Sequence, residues 1–264
     1  MQLCVFSKRL QSLDFTALGR ELRAIGVGAV DLTVRPGGHI APEEARDRLP
    51  EAAERLRAEG VAIAMISTGI TSCDFPHARE TLEAAARLGV RHAKLGYFEY
   101  RGFGTMRQSL AEAGAALRDL AALAAEAGIF LGCHNHSGPY VGAHVAHLVR
   151  LVEPLDPERV GLYFDPAHAV AEGPRFGWME ALDDASDRVR MLALKDFAIG
   201  ADGRIDLVPM GRGIVPWAKV VECLRRIAGR IGPVSVHAEK ELPAAEALRF
   251  AAADKAFFGG LWGG

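Results

Sequence analysis

Cysteine is scarce in this chain and never closely paired: Cys4, Cys73, Cys133 and Cys223 lie far apart, with no C-x-x-C among them. That spacing excludes a disulfide framework and leaves four reduced, small residues. Neither sign of charge is in excess, since 31 Lys and Arg stand against 33 Asp and Glu for a formal charge of -2. Nucleic acid and anionic membrane would find no bulk attraction here. Basic pairs such as Arg46/Arg48 and Arg225/Arg226 sit among carboxylates and read as solvated helix faces. No apolar run approaches the roughly eighteen residues of a membrane span, and no basic leader precedes an apolar stretch at the N-terminus. A cytoplasmic protein with neither nucleic acid nor membrane as partner is therefore expected. Also missing are a dinucleotide fingerprint after the first apolar run and the spacing of a phosphate loop; Met210-Gly211-Arg212-Gly213 reads as a turn. With no linker, low-complexity tract or compositional break, residues 1–264 read as a single domain.

What is present is alternation. Short β-rich runs at 2–7, 29–34, 61–67, 92–97, 129–134, 160–164, 190–195 and 234–239 take turns with longer segments rich in Ala, Leu, Arg and Glu. These longer segments lie near 14–25, 42–59, 76–89, 107–127, 142–153, 175–187, 216–229 and 243–257. Segment 107–127 sets Leu110, Ala113, Leu117, Leu120, Ala121 and Ala124 at three- and four-residue spacing, which gives a helix one apolar face. Asp14 and Pro42 suit helix starts, and Gly26, Gly60, Gly128 and Gly232 suit left-handed caps before the next strand. Strands separated by helices must run parallel through crossovers. Half the residues are hydrophobic, enough for one large core. Eight rounds in about 250 residues predict an α/β fold of the closed (β/α)8 kind, a TIM barrel. The end, Gly259-Gly260-Leu261-Trp262-Gly263-Gly264, is expected to fray unless Trp262 docks.

Ionisable side chains gather where the apolar runs stop. Of nine histidines, His39, His134, His136, His168 and His237 fall at or just beyond the C-terminal ends of strands, beside Asp165, Lys195, Asp196 and Glu239. That rim is where a barrel assembles its active site. Cys133-His134-Asn135-His136 sets two imidazoles on one side of an extended chain, and His237-Ala238-Glu239 repeats the geometry. Asp165 tops an apolar strand, where a lone carboxylate is costly, so a cation partner is expected, a metal before an arginine. Converging imidazoles and carboxylates suit one divalent ion (manganese, zinc, iron or cobalt) held by His134, Asp165, His237 and Glu239 with a position left open. Lys195 reads as a contact for an anionic intermediate or a proton shuttle, or as half of a salt bridge with Asp165 or Asp196. Arg35, His39, Lys94, His136 and Asp196 are candidates for binding substrate, Arg35 equally for anchoring its glycine loop. Trp178 and Trp217 read as core or as the wall of a sugar site.

At these junctions the chain resembles the xylose isomerase-like TIM-barrel superfamily, the sugar phosphate isomerases and epimerases, over nearly its whole length. The marks are Gly161-Leu162-Tyr163-Phe164-Asp165-Pro166-Ala167-His168, Leu194-Lys195-Asp196 and Gly232-Pro233-Val234-Ser235-Val236-His237-Ala238-Glu239, and the stretch from Val30 to His39 is similar to a bacterial branch. The resemblance implies a sugar-like ketose or polyol as substrate, a homodimer or homotetramer, and one metal, often manganese, held by Glu, Asp, His and Glu from strands five to eight. His134 stands at the first of these positions, Asp165 at the second, Ala193 at the third, and His237 or Glu239 at the last. The pair of glutamates that exchanges the substrate proton is therefore not intact. The leading expectation is a metal-dependent isomerase or epimerase working through an enediolate, with Glu239 as base and Lys195 or His168 as proton donor. Expulsion of a β-hydroxyl from the same enediolate would make a dehydratase or lyase. A non-catalytic sugar-binding barrel is the reading that Ala193 favours. A DNA-repair endonuclease shares the fold, but the acidic balance and the lack of a multi-zinc ligand set argue against it.

Overall fold

Caps and glycines set where the elements begin and end. A computed structural model describes residues 1–173 and 175–263. Asp14 starts helix α1 (Phe15–Ala24) by accepting from the Ala17 amide at 2.8 Å. Pro42 opens a short 3-10 turn that leads into α2 (Ala45–Ala58). After α3 (Ala78–Arg87), Gly128 ends α4 (Met106–Ala127) at φ 70°, a left-handed turn that a Cβ would strain. Gly26 and Gly60 are left-handed too, whereas Gly232 is not.

Strands β1 (Gln2–Phe6), β2 (Ala29–Val34), β3 (Ala62–Thr68), β4 (His92–Lys94), β5 (Phe130–His134), β6 (Val160–Phe164) and β7 (Val189–Leu194) run parallel around a cylinder. Two more, β8 (Asp196–Ile199) and β9 (Ile205–Val208), form an antiparallel hairpin on the rim. Then β10 (Pro233–Val236) closes the cylinder by pairing with both β7 and β1. The fold is a single (β/α)8 TIM barrel. Its remaining helices are α5 (Val145–Val152), α6 (Pro166–Glu172), α7 (Gly177–Asp184), α8 (Trp217–Arg226) and α9 (Ala244–Gly263). Alternation divides the core in two. Inward residues such as Cys4, Met65, Phe130, Tyr163, Met191 and Ala193 fill the barrel, and the outward faces pack under the helices.

Several expectations need correction. The strand expected at 92–97 stops at Lys94, and the one expected at 234–239 stops at Val236, because the chain there turns into the mouth. Helix α6 and the hairpin lie outside the sequence-based expectation. The glycine-rich end is helical through Gly263: Trp262 stacks on Phe258 with centroids 5.5 Å apart, and Arg225 donates to the carbonyls of Leu261 and Trp262. Gly264 lies outside the described residues. Trp178 and Trp217 are buried in the core, and the four cysteines are free. Among the described residues, no helix is long and apolar enough to cross a membrane.

Candidate active site

The register shifts by one residue where β2 pairs with β3 and where β6 pairs with β7. The extra residues are Ala64 on β3 and Arg190 on β7, next to the pairings of Asp31 and Tyr163, two polar residues inside the barrel. Such bulges re-aim side chains. Beside these shifts the Tyr163 hydroxyl lies 3.4 Å from Asp31 Oδ2, which also accepts from Ser235 at 2.9 Å. Above this pair the strands end and their ionisable residues turn inward. Asp165, directly after β6, caps α6 by accepting on Oδ1 from the amides of Ala167 and His168 at 2.9 and 3.1 Å. Asn135 clamps the Asp165 backbone from both sides, donating to its carbonyl at 2.9 Å and accepting from its amide at 2.8 Å. Asp165 Oδ2 is thereby left facing the mouth, where it meets Lys195 Nζ at 3.1 Å and His134 Nε2 at 3.3 Å. Lys195 reaches on to Glu239 Oε1 at 3.3 Å, and that oxygen meets His237 Nδ1 at 2.8 Å.

Burial opposes charge on Lys195, yet Asp165 and Glu239 outweigh it and hold the ammonium above the ordinary lysine range. Burial would raise both carboxyls as well. Lys195 and the neighbouring imidazoles win again, so Asp165 titrates below its usual range and Glu239 well below. Burial, reinforced by Lys195, drives His134 and His168 far below the usual imidazole range and His136 to about 4. Neutrality assigns tautomers. His134 donates from Nε2 to Asp165, so its Nδ1 accepts from the Tyr97 hydroxyl at 3.1 Å. His237 has the same two kinds of partner: Glu239 on Nδ1, and the Tyr163 hydroxyl at 2.7 Å on Nε2. His168 accepts on Nδ1 from the Ser137 amide at 3.2 Å, which puts its proton on Nε2. That atom is buried, has no hydrogen-bond partner among the described residues, and lies 3.8 Å from Asp165 Oδ2.

Of the residues singled out in the sequence, His134, Asp165, His168, Lys195, His237 and Glu239 are brought together. His136 borders them, its ring 3.9 Å from that of His168. Lys94 is buried with Nζ 3.7 Å from the Tyr97 ring centroid, and burial followed by nearby Arg35 lowers its pKa to about 7. Arg35 lies over Phe6, which stacks on His237. His39 and Asp196 stay apart. His39 is held by the loop between β1 and α1, with Nε2 3.0 Å from the Leu10 carbonyl. Asp196 accepts from the amides of Phe197, Gly211, Gly213 and Val215 and from the Trp217 indole. Its lone pairs are taken by the loop that leads into α8. Sequence reasoning passed over Asn135, Tyr97 and Tyr163. Tyr163 precedes Asp165 by two residues and shares its face, so the strand period could have found it.

Whether these groups fit a divalent ion turns on Lys195. Among the described residues, no three His, Cys, Asp or Glu side chains form a group able to hold an ion. The expected ligands Asp165 and Glu239 both bond the ammonium, and the ring nitrogens of His134 and His237 that point away from those carboxylates are engaged by tyrosine hydroxyls. A metal would need those lone pairs free. The donors do not fit a metal: the cation that Asp165 requires is the chain's own lysine.

The model of a family described as xylose isomerase-like TIM barrel matches residues 20–253. Solved structures of similar fold include the IOLI protein with a binding zinc atom, at 18% identity and TM-score 0.78, covering 99% of this chain and 98% of that one. Another is the E. coli 3-keto-D-glucoside 4-epimerase YcjR, at 17% identity and TM-score 0.73, covering 97% and 99%. A third is the probable 3-DHS dehydratase AsbF from Bacillus anthracis, at 15% identity and TM-score 0.73, covering 97% and 98%. No curated protein matches the sequence. Identities this low speak for the fold alone.

Proposed function

The chain belongs to the xylose isomerase-like TIM-barrel family, and from that premise we propose that it is an isomerase or epimerase of a ketose or keto-sugar, moving a proton at the carbon beside a carbonyl. The observation that carries this reading is the Lys195 ammonium held 3.1 Å from Asp165 and 3.3 Å from Glu239. An ammonium has three donors. Two go to the carboxylates, and the third remains for a substrate oxygen whose negative charge grows as the carbonyl becomes an enediolate. Glu239, its side chain 19% exposed where that of Asp165 is fully buried, is the base. It takes the C–H proton, and the electron pair moves onto the carbonyl oxygen beside Lys195. The Nε2–H of His168 supplies a second donor to the same anion. Return of the proton from Glu239 to the former carbonyl carbon, with the adjacent hydroxyl's proton passing to the other oxygen, gives an isomer. Delivery of a proton to the first carbon from the opposite face by water or His168, Glu239 later releasing its own to solvent, gives an epimer. Arg35, Lys94 and His136 line the approach and would hold the substrate's hydroxyls or an anionic group. A 3-keto-glucoside 4-epimerase on the same fold supports a keto-sugar as substrate.

The test is solvent exchange. Ketoses and keto-sugars incubated with the protein in heavy water should gain one deuterium beside the carbonyl, followed by mass spectrometry or NMR. Glu239→Gln should slow that exchange by about a hundredfold or more. A panel without exchange, or a Glu239→Gln protein that exchanges as fast as the original, would overturn the assignment.

A further inference from the structure

We propose that Lys195 stands in for a divalent ion in this barrel: its ammonium is the permanent cation of the site, and the surrounding groups would accept a metal only once that side chain is removed. Three placements carry this. Lys195 leaves the end of β7 two residues after Ala193, whose methyl faces the barrel interior and leaves the lysine stem room to run inward. The ammonium bonds both Asp165 and Glu239, carboxylates that reach it from β6 and β10, on either side of β7. And each carboxylate oxygen that meets the ammonium also meets an imidazole, His134 at Asp165 Oδ2 and His237 at Glu239 Oε1, with a tyrosine hydroxyl on each ring's other nitrogen.

The result is one hydrogen-bonded chain, from Tyr97 through His134, Asp165, Lys195, Glu239 and His237 to Tyr163, with the Lys195 ammonium at its midpoint and bridging both carboxylates. Lys8 adds a second ammonium on Glu239 alone, 2.9 Å from Oε2. A divalent ion at that midpoint would meet the ammonium at contact distance and compete with it for both carboxylates. Without the lysine, the buried Asp165 and the half-buried Glu239 lose the counter-charge they share, Lys8 staying on Glu239 alone. A proton shifted across each ring to the nitrogen beside the tyrosine then turns a lone pair of His134 and of His237 toward the carboxylates. That is a set of oxygen and nitrogen donors of the kind zinc and manganese take. Unlike a bound ion, a covalently attached cation does not dissociate, so a chelator has nothing to remove.

The experiment titrates the full chain with Mn2+ and with Zn2+ by calorimetry after dialysis against chelator, with elemental analysis of the protein as purified. The original chain should hold no stoichiometric metal. Lys195→Ala should bind one ion per chain at least about a hundredfold more tightly, and Lys195→Ala combined with Asp165→Ala should lose it again. Lys195→Met, which keeps the stem's volume without the charge, is the second variant in case the alanine protein does not fold; circular dichroism and melting report on both. One ion bound to the original chain and lost in Asp165→Ala would overturn the proposal, as would folded lysine variants that bind no better than the original. Affinity is read without turnover, so a failure of the proposed reaction leaves this outcome intact.

Discussion

Lys94 shows how one side chain can set a pH response. Burial and Arg35 lower its pKa to about 7 in the folded protein against 10.5 in the ordinary case. Between those values the unfolded chain binds more protons than the folded one, so stability rises with pH across that window and the cost of the buried charge is full below it. Lys94→Met should therefore raise stability by roughly 1–3 kcal/mol at pH 6, allowing for the lost contact with Tyr97, and change little at pH 10. Melting curves at the two pH values check this; equal shifts would mean that the lysine is not charged against its surroundings. The same scale explains which site residues were legible. His134, Asp165 and Glu239 could be read because they end apolar runs. Neighbours on a strand point opposite ways, so of Lys195 and Asp196 at most one can face the mouth, and nothing in the pair itself says which. Tyr97 arrives from an irregular loop after β4 and carries no periodic mark at all.

Asp196 works at the scale of an element. Its carboxylate gathers four amides and an indole N–H, and thereby shapes the turn from the hairpin into α8. The turn is built for close approach: Gly211 sits at φ 82°, and a Cβ on Gly213 would run into the Asp196 carboxylate. Asp196→Ala leaves those donors buried without an acceptor and should cost roughly 3–5 kcal/mol. Faster amide exchange at residues 211–215 than in the barrel strands would locate the loss; an unchanged melting temperature would contradict the role. Helix α6 was readable in principle, since Asp165-Pro166 is a sound cap and first turn. The seven residues that follow are too few to show a period. The hairpin was hidden for a similar reason, its strands being four residues each around the Asp202-Gly203 turn.

At the scale of the molecule, the barrel was legible as a count: eight alternations and no break. Closure was legible from the same count and from the missing dinucleotide fingerprint, although no residue of β1 announces that its partner is β10. That seam is reinforced from outside, where Lys255 on α9 donates to the carbonyls of Ile25 and Gly26 at the end of α1, at 3.0 and 2.8 Å. Lys255→Ala should lower stability by about 1–3 kcal/mol and the melting temperature by about 2–4 °C for each of these; calorimetric scanning checks it. The pairing of β1 with β10 has a consequence for how the protein is made. Cys4 and Val234, which touch across the seam, are 230 positions apart. A ribosome adding about 5 to 20 residues each second needs roughly 10 to 50 s to bridge them. For that long the first strand waits with one edge bare, a template for any stray chain, and the hazard of aggregation is timed by the pace of synthesis.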